Sequence, residues 1–304
     1  MQLNKLFIFS ALMAYSFLAT AENVSITVGV PVNWNRLEHY HAATKEKGCE
    51  QISNYALPGA SRGLSEMLLV CQALHLGGLN PVFEFKKFNT YARLLRQVTN
   101  GGVLLMMESA WQRDADPSKV FLSDPVLKMG EFEVGVFTVP RHLELLKVRS
   151  LEELRKFKAV SNKNWVVDWA TLEFMQIEKF NSPTYPLMFK TVEARRADFM
   201  LEAFSNLPDM SQTTDGVTLV PVPNIKIGLK GSRHILVNKQ LPNAKKVFNA
   251  LQVGLKILSE SGRITQAYQE SGFLHKAVRD WRLLCCAEEK PLPLEIDIDQ
   301  THSE

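Results

Sequence analysis

Residues 63–107 read GLSEMLLVCQALHLGGLNPVFEFKKFNTYARLLRQVTNGGVLLMM, and this stretch decides the fold class. Leu64, Met67, Leu68, Cys71 and Leu74 recur at helical spacing, which predicts a helix over Gly63–Leu76. Ser65 caps it or stands in its first turn, and Gly77-Gly78 ends it. Val82–Phe88 alternates as a strand does. Tyr91–Val98 is a second helix, closed by Asn100-Gly101-Gly102, and Val103–Met107 is a short apolar run that reads as a buried strand. Upstream, Ser25–Val30 (SITVGV) is rich in β-branched residues and stops at Pro31, giving a first strand. Strand–helix–strand–helix–strand is the order of a mostly parallel sheet with helices on its faces. Asn33–Ser61, between the first strand and the first helix, reads as a long polar loop.

A second unit of the same kind follows. Glu131–Val139 (EFEVGVFTV) is a clear strand. Ser150 caps a short helix with Glu152 and Glu153 in its first turn, and Ala159-Val160 begins a strand. A helix is expected over Asp168–Phe180, a strand over Leu187–Lys190, a helix over Val192–Phe204 and a strand over Val217–Pro221. The strand-like Arg233–Val237 leads back, and amphipathic helices over Pro242–Glu260 and Ile264–Glu270 flank Ser261-Gly262. The expected organisation is one α/β lobe over 22–135 and 236–286, with a second over 136–235 inserted into it. Two crossover strands join them, and ligand sits in the cleft between.

The ends carry different signals. Lys5, the apolar run Leu6–Ala19 and Ala19-Thr20-Ala21 have the layout of a cleaved secretory signal over 1–21, too short for a comfortable membrane span. The product is then exported, into the periplasm of a bacterium. Residues 287–304 hold six acidic residues against one Lys and read as a disordered tail. A net charge of +3 over the whole chain gives no electrostatic case for nucleic acid. No zinc spacing, P-loop, GxSxG or HExxH occurs, so neither a cofactor nor an enzyme is expected. Four cysteines, Cys49, Cys71, Cys285 and Cys286, are compatible with disulfides in an oxidising compartment. Cys49 with Cys71 is one pairing; either with Cys285 or Cys286 is another.

Four segments, in order, resemble the family 3 (polar amino acid type) periplasmic solute-binding proteins of ABC importers. They are Val28-Gly29-Val30; Leu122-Ser123-Asp124-Pro125 followed by Gly135-Val136-Phe137; Arg195-Arg196-Ala197-Asp198-Phe199-Met200-Leu201; and the closing Phe248–Phe273. The likeness spans nearly the whole mature chain and identifies a divergent member. It implies the type II two-lobed fold, a monomer, and reversible binding of a small polar solute for delivery to a membrane transporter. It departs where Asn33-Trp34-Asn35 replaces the family's Pro-Pro-Phe. The family's carboxylate-gripping Arg also falls, by counting, on Asp116, with Arg113 about three residues early.

Arg113 is the leading expected ligand residue, since a guanidinium fork fits a carboxylate and the loop follows a strand's carboxyl end. Trp111 and Trp34 could wall the cleft. Arg62 could meet an anion at a helix start. Ser161, Asn162 and Trp165 stand where the second lobe would offer N–H groups, and Glu202 lies close to the family's ammonium-binding position. His39 and His41 read as solvated, lacking a third metal ligand. Two alternatives share this fold: a ligand-sensing module for a membrane-bound signalling protein, and a lyase or dehydratase that uses a cleft carboxylate.

Overall fold

The computed structural model describes residues 22–31, 35–205, 207–229 and 231–285. The expected signal at 1–21, Trp34 and the acidic tail at 287–304 lie outside these residues. The chain begins with β1 (Glu22–Pro31), α1 (Arg36–Thr44), α2 (Arg62–Leu76), β2 (Leu79–Phe88), α3 (Tyr91–Thr99), β3 (Leu105–Met106), β4 (Ala110–Trp111) and β5 (Val120–Leu122). It continues through β6 (Glu133–Thr138), α4 (Leu151–Leu154), β7 (Ala159–Ser161), α5 (Val166–Phe174), β8 (Lys179–Asn181), α6 (Tyr185–Glu193), β9 (Met200–Glu202), β10 (Gln212–Thr214), β11 (Val217–Pro221) and β12 (Ile225–Gly228). It closes with β13 (Arg233–His234), β14 (Leu236–Asn238), α7 (Ala244–Glu260), α8 (Arg263–Glu270) and β15 (Arg282–Leu283).

Two α/β lobes result, as the strand–helix order implies. The first is built on a sheet of order β2-β1-β3-β14-β5. Its β1 and β2 run parallel, paired from Glu22↔Leu79 to Pro31↔Phe88. The β-branched face of β1 is the reason it lies inside: Ile26, Val28 and Val30 are fully buried against α2 and α7. The second lobe has a sheet of order β10-β11-β6-β12-β15, with β9 also on β6, and the parallel pair β7-β8 beside it. Its own apolar cluster gathers Phe137, Met188, Phe189, Val192, Met200 and Leu219.

Several expectations need correction. The stretch read as loop holds α1, whose weakly amphipathic face buries only Arg36, Leu37 and Tyr40. Leu187–Lys190 is helical, within α6, and Val192–Phe204 contains the strand β9. Pro186 sits in the first turn of α6, where its missing N–H costs no hydrogen bond. The helix from Asp168 ends at Phe174, and Lys179–Asn181 is strand β8. Ser61 caps α2, its hydroxyl accepting from the Leu64 N–H at 3.3 Å, where Ser65 was one candidate.

Of the possible cysteine pairings, the structure shows Cys49–Cys71, which staples the approach to α2 onto the helix itself. Cys285 is disulfide-bonded as well.

α2 and α7 approach backbone to backbone. A Cβ added at Gly254 would stand 1.9 Å from the Ala73 carbonyl oxygen, and one at Gly77 2.1 Å from that of Ala250. Exposed helix positions gain about 0.8–1 kcal/mol when Gly becomes Ala. At Gly254 the collision with backbone outweighs that gain. Gly254→Ala should destabilise by about 1–3 kcal/mol, read as a lower urea midpoint. A raised midpoint would show that the helices can separate at no cost.

The lobes meet at antiparallel β6 and β12 (Val134↔Ile227, Glu133↔Gly228). A third segment crosses here. After α8 the chain runs along the second lobe, buries Val278 there, sets Trp281 edge-on to Phe204 at 5.6 Å and adds β15 parallel to β12. Among the described residues no helix is long and apolar enough to cross a membrane.

Candidate functional site

A cleft of about 740 Å3 separates the lobes. Its walls are the chain just past the carboxyl ends of β1, β2 and β3 on one side and of β7, β8 and β9 on the other, where open α/β sheets bind ligands. The volume suits a small solute.

The first lobe contributes a buried charge cluster. Glu66, on α2, has all four of its lone-pair positions occupied. Oε2 accepts from Arg62 at 2.6 Å and from the Ser109 N–H at 2.8 Å; Oε1 accepts from the Ser109 hydroxyl at 2.7 Å and from the Tyr268 hydroxyl at 3.0 Å. Burial pushes this carboxyl up, but Arg62, Arg233 and the Ser109 donors overcome it and hold Glu66 below the usual carboxylate range. Glu108 pairs with Arg36 of α1 and lies 3.6 Å from Arg62.

Arg233 completes the cluster from β13, which pairs with β4 and so reaches Ser109 across 124 positions of sequence. Its Nε donates to the Ser109 hydroxyl at 2.8 Å and one terminal nitrogen donates to the Ser109 carbonyl. The guanidinium stacks over Trp111 at 4.6 Å and faces Phe132 at 5.5 Å. Burial, and then the neighbouring Arg62, pull its pKa down. It lines the cleft at 5% exposure, and no carboxylate of the described residues is within ion-pair distance of it.

The second lobe faces this with two carboxyls, Asp168 in the first turn of α5 and Glu202 at the end of β9. Burial lifts Asp168 to about 6, against the pull of its own backbone N–H and of Arg233. Burial lifts Glu202 to about 7, against hydrogen bonds from the Tyr185 hydroxyl and the Ala203 N–H. Neither has an ion pair among the described residues.

Of the residues expected from sequence, the structure brings Trp111, Arg62, Asn162, Trp165 and Glu202 to the cleft. Asn162 is largely spent on structure: its amide donates to the Pro183 carbonyl at 3.0 Å and accepts from the Asn164 N–H at 2.8 Å. Ser161 is buried in β7 and does not line the cleft. Arg113 is exposed on the turn after β4, outside the lining. Glu108, one of the carboxylates the lyase alternative could use, also lines the cleft. Arg36, Asp168 and Arg233 were not expected as ligand residues, and nothing local marks Arg233; only the β13–β4 pairing delivers it. Among the described residues, the group with metal-ligand spacing is Cys49, Cys71 and His75, and both sulfurs are committed to the disulfide.

No protein-family model matches this chain, and no curated protein matches it in sequence. Solved structures do match its shape. The extracellular-binding protein ytmK of a probable amino-acid ABC transporter from Bacillus subtilis superposes with a TM-score of 0.53 at 11% identity, over 82% of this chain and 97% of that one. The GluR0 ligand-binding core, in complex with L-glutamate, does so with a TM-score of 0.51 at 13% identity, over 82% and 98%. The periplasmic VFT2 domain of BvgS from Bordetella pertussis gives a TM-score of 0.51 at 12% identity, over 81% and 93%. The chain therefore has the two-lobed fold of these proteins, the fold its sequence segments imply.

Proposed function

We propose that this chain is a periplasmic ligand-binding module that closes its two lobes on a small polar solute bearing a carboxylate, with Arg233 as the gripping group. The observation that carries the reading is a guanidinium held rigid by Ser109 and by two aromatic rings, lining a cleft, with no carboxylate of the described residues paired to it. A planar fork in such a place recognises a carboxylate in two hydrogen bonds. Trp111, Phe132, Tyr91 and Phe204 line the same space and would cover the solute's hydrocarbon part. Delivery to a membrane transporter is the role proposed for the closed form.

The test is a thermal-shift screen of the chain without residues 1–21 against amino acids, organic acids and polyamines. A ligand at 100 times its Kd should stabilise the fold by about 2.7 kcal/mol. Stabilisation only by molecules lacking a carboxylate would overturn the assignment of Arg233. Arg113→Ala serves as the control. It should leave the shift unchanged, because Arg113 is exposed outside the cleft. Transport is tested separately, by uptake of the identified solute in cells lacking the chain; undiminished uptake would remove the transport role.

A further inference from the structure

A second cavity, of about 440 Å3, lies behind the crossover that joins the lobes. Side chains alternate along the segment entering β6: Phe132 and Val134 face the cleft, whereas Glu131 and Glu133 line this cavity. The two spaces therefore lie on opposite faces of one strand, with the Phe204 and Phe273 rings bordering both. α8 supplies Ile264 and Tyr268, and the third crossing supplies His275, Val278 and Arg279. We infer that this cavity is a second binding site, for a small monoanion with an apolar body, separate from the cleft and independent of Arg233.

The polar groups of this cavity are donors in excess. Lys226, its side chain 8% exposed, commits two of its three N–H groups, to Glu133 at 2.7 Å and to the Arg279 carbonyl at 3.1 Å. The third N–H has no acceptor among the described residues. His275 Nδ1 accepts from the Ala277 N–H at 3.2 Å, and burial holds the ring below its usual pKa. At neutral pH the ring is therefore uncharged with its proton on Nε2, again with no acceptor among the described residues. Lys276 and Arg279 also line the space, and neither has an ion pair among the described residues. The carboxylates of the lining are Glu131, which accepts from the Lys128 N–H at 2.7 Å, and Glu133. The cations Lys226, Lys276 and Arg279 thus outnumber the carboxylates by one. A single anionic group balances that charge and gives the open donors their acceptors. Val126, Leu127, Ile264, Phe273, Leu274 and Val278 make much of the wall apolar, and the volume lies at the small end of ligand pockets.

The experiment follows the backbone amide NMR shifts of the isotope-labelled chain without residues 1–21 during titration with hexanoate, hexanamide and hexylammonium, which share an apolar body and differ in charge. Hexanoate should shift the amides of Glu131 and of residues 274–279 saturably. Hexanamide should bind at least about tenfold more weakly, and hexylammonium should give no saturable shift there. Leu274→Trp narrows the cavity and leaves every charge in place; Lys226→Met removes the buried donor. Each should weaken hexanoate at least about tenfold, and the first keeps the site testable if loss of Lys226 unfolds the chain. Hexanoate carries a carboxylate, so Arg233→Met separates the two sites: binding behind the crossover persists unchanged in that variant. Loss of these shifts in Arg233→Met overturns the inference, as do shifts confined to cleft residues such as Ser109 or hexanoate binding that Leu274→Trp leaves intact. Hexylammonium binding as tightly as hexanoate, or no saturable shift with hexanoate, overturns it equally.

Discussion

Arg233→Met should abolish solute-dependent stabilisation and leave the empty protein folded. The side chain fills space between Trp111 and Phe132, and Met keeps most of that volume. What is lost is a desolvated positive charge that no carboxylate of the described residues pairs directly, so the empty fold loses little. Binding loses the Arg233 fork. Removing one partner of a buried, hydrogen-bonded charge pair costs about 2–5 kcal/mol, or roughly 30- to 5,000-fold in Kd. Arg233→Lys should recover only part of this, because an ammonium cannot reproduce two parallel N–H···O bonds. Calorimetric titration with the solute found by screening reads the loss, and an unchanged Kd with intact folding removes Arg233 from the site.

The opposite pattern is expected one residue away in space. Glu66→Leu should destabilise the empty protein by about 3–5 kcal/mol, since it strips Arg62 of a 2.6 Å partner and orphans the donors of Ser109 and Tyr268. Urea unfolding reads this as a lower midpoint at unchanged slope. A loss below about 1 kcal/mol would mean that water enters and satisfies the cluster. The same carboxylate makes the fold acid-sensitive in a defined direction. Its pKa is held below the ordinary value in the folded state, so its contribution is complete above the unfolded-state pKa and is lost as pH falls through the folded one.

The elements that were legible are those whose burial is periodic and local. The helix over Arg62–Leu76 and the strand at Ser25–Val30 announce themselves because one face of each enters a core. α1 does not, because among its nine residues only Leu37 and Tyr40 are buried hydrophobics, and the third buried side chain is the charged Arg36. α6 covers the stretch Leu187–Lys190 expected as a strand; Pro186 stands in its first turn, where a proline starts a helix. The site was half legible. Arg62, Trp111 and Glu202 lie near strand ends or helix starts, positions that order along the chain predicts. Arg233 and Arg36 owe their places to contacts 124 and 72 residues distant, and no motif encodes a distance of that kind.

The sheet order of the first lobe has a consequence for how the molecule is made. β14 lies between β3 and β5, yet it enters the chain more than a hundred residues after them, and α7, which packs on α2, enters later still. A chain emerging N-terminus first therefore holds an incomplete first sheet, with β3 lacking a neighbour, throughout synthesis of the second lobe. The second lobe, continuous apart from β15, can assemble in that interval. The high loop-closure cost of the first lobe then falls at the end of folding, when residues 236–260 arrive to close it.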